Sequence, residues 1–440
     1  MKRFLFKAAF FLFVLYVCYA QQETSVLHGG GEAPRYPQTL DNQSRSVNYG
    51  MTKYGSNEAG TPDQSVTKKN EGFFESGRTA FSLGVEASGA VANSYYNLTD
   101  VLSFSSFSIN YRDMARSAPK DGHSFAGTGK MRVFLDIYLQ RKYEFGVYGS
   151  ADMLAFITLP KKLIEVAEAI ASKSLPAGKA EATLSAQAFS FADIGAFYGM
   201  SIDSFKFRVN ASYYMPLLYL DPHVGKYESF TDLSTGVVHV DSDIHLNVYT
   251  EKNFSKALQK GGLDLTFTGI YTFNPYVDLH FSFLHIPIVT AYMDSGYSAK
   301  FNLNTEKAFA GLGLMGDSVS AKENVKLQKK AVSRPLKVST GLTIYPFANN
   351  YLIISPSIGL HCLTPFYIDA GLKLESRFLK VFGIYCSMTR EDRIWKNGAG
   401  LFIDARVFRL ETHAALAGTT FLSSFKARGA EAGIKLVVGY

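Results

Sequence analysis

Ala182-Thr183-Leu184-Ser185-Ala186-Gln187-Ala188-Phe189-Ser190-Phe191-Ala192-Asp193-Ile194-Gly195-Ala196-Phe197-Tyr198-Gly199-Met200-Ser201-Ile202 is the stretch that decides the fold. Read from Ala182, every second residue is small or apolar, Ser190 excepted, and the intervening set mixes Thr183, Gln187 and Asp193 with Phe189, Phe191 and Phe197. Asp203-Ser204 turns the chain. Alternation resumes with Phe205, Phe207, Val209, Ala211, Tyr213 and Met215 against Lys206, Arg208, Asn210, Ser212 and Tyr214. Successive strand residues point to opposite faces, so this is a long hairpin with one apolar and one mixed face. Strands of soluble domains run to about 5–6 residues. An arm from Ala182 to Ile202 is several times that, and the wall of a bacterial outer-membrane barrel gives the simplest reason.

The N-terminus agrees on compartment. Lys2, Arg3 and Lys7 precede an apolar run from Ala8 to Tyr19, and Ala20 closes a small-residue cleavage site. Residues 1–20 read as a secretory signal peptide, too short to span a bilayer. A rival reading makes Leu15–Cys18 a lipoprotein box with Cys18 lipidated, although Val17 stands where that box wants a small residue. No later stretch offers the roughly 20 uninterrupted apolar residues of a membrane helix. If the chain crosses a membrane, it crosses as strands.

Composition permits this. Charged residues make up 19% of the 440, and aromatic residues 14%. Mean hydropathy near zero is what alternating strands average to. The formal charge of +7 is spread along strands without a dense basic run, which argues against a nucleic-acid partner. Alternation puts Cys362 on the apolar face of its strand and Cys386 on the other face of its own, so a bridge between them is not expected, and no metal-type spacing occurs.

Residues 21–75 are rich in Gly, Gln, Asn and Ser, and read either as a disordered extension or as a hatch folded inside a barrel. Residues 76–440 form the barrel. Strand patterns recur at 81–88, 133–147, 182–217, 236–249, 262–273, 277–290, 296–303, 335–347, 351–362, 366–375, 378–388, 398–408, 409–418 and 428–440, with 101–112 doubtful. The expected architecture is an all-β transmembrane antiparallel barrel of about 14 strands, with 16 the next choice because closure favours even numbers. Two connections look helical, Lys161–Leu175 and Asn253–Lys260, and 305–334 reads as a long loop carrying the basic run Lys322–Lys330. The last strand ends on Tyr440, in the manner of the C-terminal aromatic by which barrels are recognised for assembly. The barrel assembly machinery is therefore an expected partner, beside outer-membrane lipid.

No catalytic motif is present, and neither enzyme activity, a cofactor nor a metal is expected. Asp278, His280 and Ser282 share one strand face but lack the strand-separated geometry of a triad. The inner face is more telling. A general diffusion porin should be dense in charge there, whereas the faces opposite the apolar band include Phe189, Phe191, Phe197, Tyr214, Ile270, Leu284, Ile286, Phe382, Ile384 and Phe402. Among them stand Lys206, Arg208, Lys337, Lys373, Lys380 and Arg406. Rings and scattered cations suit an amphipathic anion such as a fatty acid, with its tail on the rings and its carboxylate near a cation. Equally, the apolar residues serve to pack a plug or one another. Candidate substrate contacts are Phe189, Phe191, Phe197, Lys206, Arg208 and Lys380.

Glu75-Ser76-Gly77, the run Gly84-Val85-Glu86-Ala87-Ser88-Gly89-Ala90-Val91-Ala92-Asn93, and Asn97-Leu98 together resemble the FadL-like outer-membrane transporters of long-chain fatty acids and other hydrophobic compounds. Asn97 occupies the Asn of that family's Asn-Pro-Ala motif, while Leu98 and Thr99 replace Pro-Ala. The resemblance implies a 14-stranded barrel, an N-terminal hatch, and hydrophobic substrate passing through the lumen or a lateral opening. The expected protein is a monomer in the outer membrane of a diderm bacterium, taking up fatty acids or similar compounds. A non-selective porin and an adhesive surface protein are the alternatives.

Overall fold

The computed structural model describes residues 81–99, 110–139, 142–172, 180–232, 237–251, 253–304, 319–347, 351–362, 366–378, 381–405 and 407–439. The signal peptide, the 21–75 segment, Lys380, Arg406 and Tyr440 lie outside them.

Among the described residues, seventeen strands form one antiparallel sheet. They are β1 (Phe81–Asn93), β2 (His123–Leu139), β3 (Tyr143–Leu159), β4 (Ala180–Ile202), β5 (Phe205–Asp232) and β6 (Val237–Thr250). Then come β7 (Gly262–Asn274), β8 (Val277–Val289), β9 (Ala291–Asn304), β10 (Val319–Val332), β11 (Lys337–Ile344) and β12 (Ile353–His361). The last are β13 (Tyr367–Phe378), β14 (Phe382–Glu391), β15 (Ile394–Asp404), β16 (Phe408–Gly418) and β17 (Gly429–Gly439). Among the described residues, short helices join them: α1 (Tyr111–Ser117), α2 (Lys161–Ala171), α3 (Phe254–Gln259) and α4 (Phe421–Phe425).

The pairing forks at β5. Its first arm, Phe205–Tyr214, pairs with β7, and its second, from Leu218 onward, pairs with β6. Beyond the fork β6 pairs with β9 and β9 with β10. The main ring runs through β7, β8, β11 and on to β17, which pairs with β1 over Ser82–Ala92. Three of the seventeen strands thus stand outside the ring, and fourteen close it, as the sequence predicted. Pro216 marks the fork. It has no N–H for the ladder, and the β4–β5 register slips there, between Ser190 and Phe191.

The ring is inside-out relative to a soluble domain. Ile194 (59% exposed), Val147 and Ile384 face outward, while Glu86, Arg132, Asp136, Lys396 and Arg409 are buried on the inside. That is the polarity of a barrel whose wall meets lipid, and no described helix is long and apolar enough to cross a membrane. Aromatic rings cover bare backbone on the inner wall: Phe134 lies over Gly84, Tyr148 over Gly195 and Phe402 over Gly383. Short connections such as Ile202–Phe205 and Asn274–Val277 gather at one end, and the helices and the β6–β9–β10 extension at the other.

Two expectations need correction. The long loop at 305–334 contains β10, VSAKENVKLQKKAV, in which Val319, Ala321, Val325 and Leu327 alternate with polar residues but Glu323 and Lys329 interrupt the apolar set. Its pairing with β9 also slips twice, between Lys322 and Val325 and between Lys326 and Lys330, so charge and register together blur the alternation. The doubtful strand at 101–112 is replaced, where described, by the start of α1, capped by Asn110. The helix expected from Lys161 is α2, and the one expected at Asn253–Lys260 is α3, with Asn253 as its cap.

Candidate functional site: the barrel interior

Where β5 forks, the inner face carries an apolar cluster. Phe189 and Phe191 on β4 pack with Leu154 on β3, Tyr214 on β5, Tyr249 on β6 and Met293 on β9 into one buried cluster. Phe191 and Tyr214 are fully buried and meet edge-to-face, their centroids 5.9 Å apart. The Tyr214 hydroxyl accepts from the Ala291 N–H at 3.2 Å and lies 3.2 Å from the Val332 carbonyl. It therefore ties β5 to the start of β9 and the end of β10.

Arg334, in the link from β10 to β11, forms ion pairs with Asp193 at 3.1 Å and Asp264 at 3.6 Å, and its guanidinium is 3.3 Å from His285 Nε2. Sequence reading missed this residue because it falls in the segment taken for loop. Its one signal is a lone arginine before Pro335 at the foot of a strand.

Nearer the turn end, Arg208 pairs with Glu144, and its guanidinium lies 4.1 Å over the ring of Phe197. Lys206 is buried on the same face of β5. Five of the six candidate contacts thus face the interior: Phe189 and Phe191 together in the apolar cluster, Phe197 with Arg208 lower down, and Lys206 beside them. Lys380 is the sixth and lies outside the described residues.

The interior differs from expectation in two ways. First, Ile286, Phe382 and Ile384 face outward. The left-handed backbone at His285 makes a bulge in β8 that turns Ile286 over. β14 begins at Phe382, so Lys380 gives no guide to its facing; Cys386 is likewise exposed on the outside, as Cys362 is, and both thiols are free. Second, the lumen is richer in charge than the sequence implied, and the charges are matched. Lys337 meets Asp369 at 2.5 Å, Lys373 meets Glu375 at 2.5 Å, and Arg409 meets Asp404 at 3.4 Å. His280 and Ser282 bond Thr343 and Ser339 on β11, at 2.7 and 2.6 Å.

His361, Asp369 and Asp392 bring ligand-type atoms within 4.8 Å of one another. Lys337 and Lys130 stand against the two carboxylates, at 2.5 and 3.1 Å. Two ammonium groups already supply the positive charge a metal would bring, so the donor set does not favour a cation.

No known protein-family profile matches this chain, and no curated protein matches it in sequence. Solved structures similar to it include a Pseudomonas aeruginosa FadL homologue, aligned over 93% of this chain and 100% of its own, at 8% identity and a TM-score of 0.44. The P. putida toluene transporter TodX aligns over 82% and 89%, at 8% identity and a TM-score of 0.39. The Ralstonia pickettii toluene transporter TbuX gives 82% and 89%, 9% and 0.38. The barrel is established by this chain's own strand pairing.

Proposed function

We propose that this chain is an outer-membrane barrel that takes up hydrophobic small molecules. The observation that carries the reading is the buried cluster of Phe189, Phe191, Tyr214 and Leu154 on the inner face, where an aqueous pore would place polar groups. In bacterial barrels the short turns are periplasmic and the longer loops extracellular, which puts this cluster at the outer mouth.

Long-chain fatty acids are the narrower substrate reading. The carboxylate of a fatty acid needs a cation, and Arg208 is already engaged by Glu144 and by the face of Phe197. Uncharged hydrophobic compounds therefore fit the described lumen better than fatty acids do. Mass spectrometry of organic extracts of the purified protein tests both. Retained apolar compound that disappears in the folded Phe189→Ser/Phe191→Ser variant supports the reading, and its chemistry separates acyl chains from neutral compounds. Extracts free of any apolar compound, with large steady conductance, would instead identify a non-selective porin.

A further inference from the structure

We infer that the tip of the β14–β15 hairpin is a gate folded into the lumen, latched shut by Lys130 on the facing wall. Five strand steps separate β2 from β14 around the ring, through β1, β17, β16 and β15. At about 4.8 Å per step, roughly 24 Å of wall lies between them. Yet Lys130 Nζ is 2.7 Å from Glu391 Oε1 and 3.1 Å from Asp392 Oδ2. The tip itself must lean inward to be met.

Other contacts made by the tip agree. Ile394 is fully buried against Ala90 and Ala92 of β1, whose small side chains leave room for it. The Arg393 guanidinium lies 4.6 Å over Phe156 of β3. Asp392 and Arg393 both adopt left-handed backbone, with φ of 51° and 65°. A two-residue hairpin turn of this kind normally takes Asn-Gly, so an Asp-Arg pair has to be held by its surroundings.

The charges are arranged for release. Glu391 has a second partner on its own side of the lumen, Lys396 at 3.1 Å, and Lys396 also meets Glu431 at 3.0 Å. When Lys130 lets go, the Glu391 carboxylate keeps a counter-charge, and Lys130, already 23% exposed, gains water. A brace meant only for stability has no need of that second home. The gate would act on any solute, so it does not depend on the hydrophobic substrate proposed above.

Single-channel conductance of the full-length protein in planar bilayers tests this. Lys130→Met is expected to raise conductance several-fold over the wild type, with folding checked by heat-modified gel mobility. In a Cys362→Ser/Cys386→Ser background, Lys130→Cys/Asp392→Cys is expected to conduct as Lys130→Met does. Joining the two new thiols with a bis-methanethiosulfonate reagent should return the low value, and reductant should raise it again. Folded variants that conduct like the wild type, or a cross-link that leaves conductance unchanged, would overturn the gate. A lowered unfolding temperature with unaltered conductance would reduce Lys130 to a structural brace. A failure to retain apolar compounds would count against the uptake reading alone.

Discussion

Arg208 on β5 meets Glu144 on β3 over Gly199 of β4, which pairs with both of them in one row of the sheet. With no side chain at Gly199, the guanidinium and the carboxylate close on each other across an intervening strand. Removing one partner of such a buried pair strands the other, at about 3–5 kcal/mol, whereas replacing both with apolar groups is often close to neutral. Arg208→Ala should therefore lower the unfolding temperature of the refolded barrel more than Arg208→Met/Glu144→Leu does. Equal losses in thermal melts of the two variants would show that the pair contributes little.

Tyr148 covers Gly195 on the adjacent strand, and Arg132 lies 4.3 Å over the same ring. A methyl group at 195 would occupy the space of the ring, and overpacking of this kind costs about 1–3 kcal/mol. Gly195→Ala should destabilise the barrel, and Gly195→Ala/Tyr148→Ala by less than the sum of the single changes. Additive effects in urea titrations would mean that the ring and the glycine do not depend on each other.

Much of the ring was legible because lipid enforces one rule on every strand: apolar outward. The period-2 pattern of Ala182–Ile202 and of Ala430–Val438 survives into β4 and β17. The rule fails where lipid is absent or the backbone slips. In β10, Glu323 and Lys329 break an otherwise alternating apolar set, and the bulge at His285 moved Ile286 to the outside. Inside, the sequence shows which residues face the lumen but not which of them meet. Glu391 and Lys130 are 261 residues apart, and nothing in either strand announces the contact. Arg208 looked like a cation awaiting a ligand because its partner lies two strands away.

Lys260, just after α3, donates to Glu251 at 2.8 Å and to Asp294 at 2.6 Å, joining the end of β6 to β9. Burial pushes its pKa down, but hydrogen bonds from the ammonium to Asp294 and Glu251 outweigh that and raise it above the ordinary 10.5. A raised lysine contributes stability that is complete below its unfolded value and is lost as pH climbs through the folded one. Protease cutting at the base of the extension should thus stay constant up to about pH 10 and increase beyond it. Lys260→Met should cut readily at neutral pH, with the alkaline step gone. A wild-type profile flat through the alkaline range would remove Lys260 from this role.

One hydroxyl ties the fork at β5 to the extension. Tyr214 accepts from the Ala291 N–H where the chain leaves β8 for β9, and the residue is fully buried. Tyr214→Phe keeps the ring against Phe191 and removes only the oxygen, leaving a buried N–H without its acceptor, at about 1–3 kcal/mol. Because that donor belongs to β9, the loss should fall on the extension and spare the ring. Hydrogen exchange should quicken at Ala291–Met293 and along the β6–β9 pairing, while β14–β17 exchange as before. Uniform acceleration across all strands would mean that the fork and the ring unfold as a single unit, and that the extension has no stability of its own to lose.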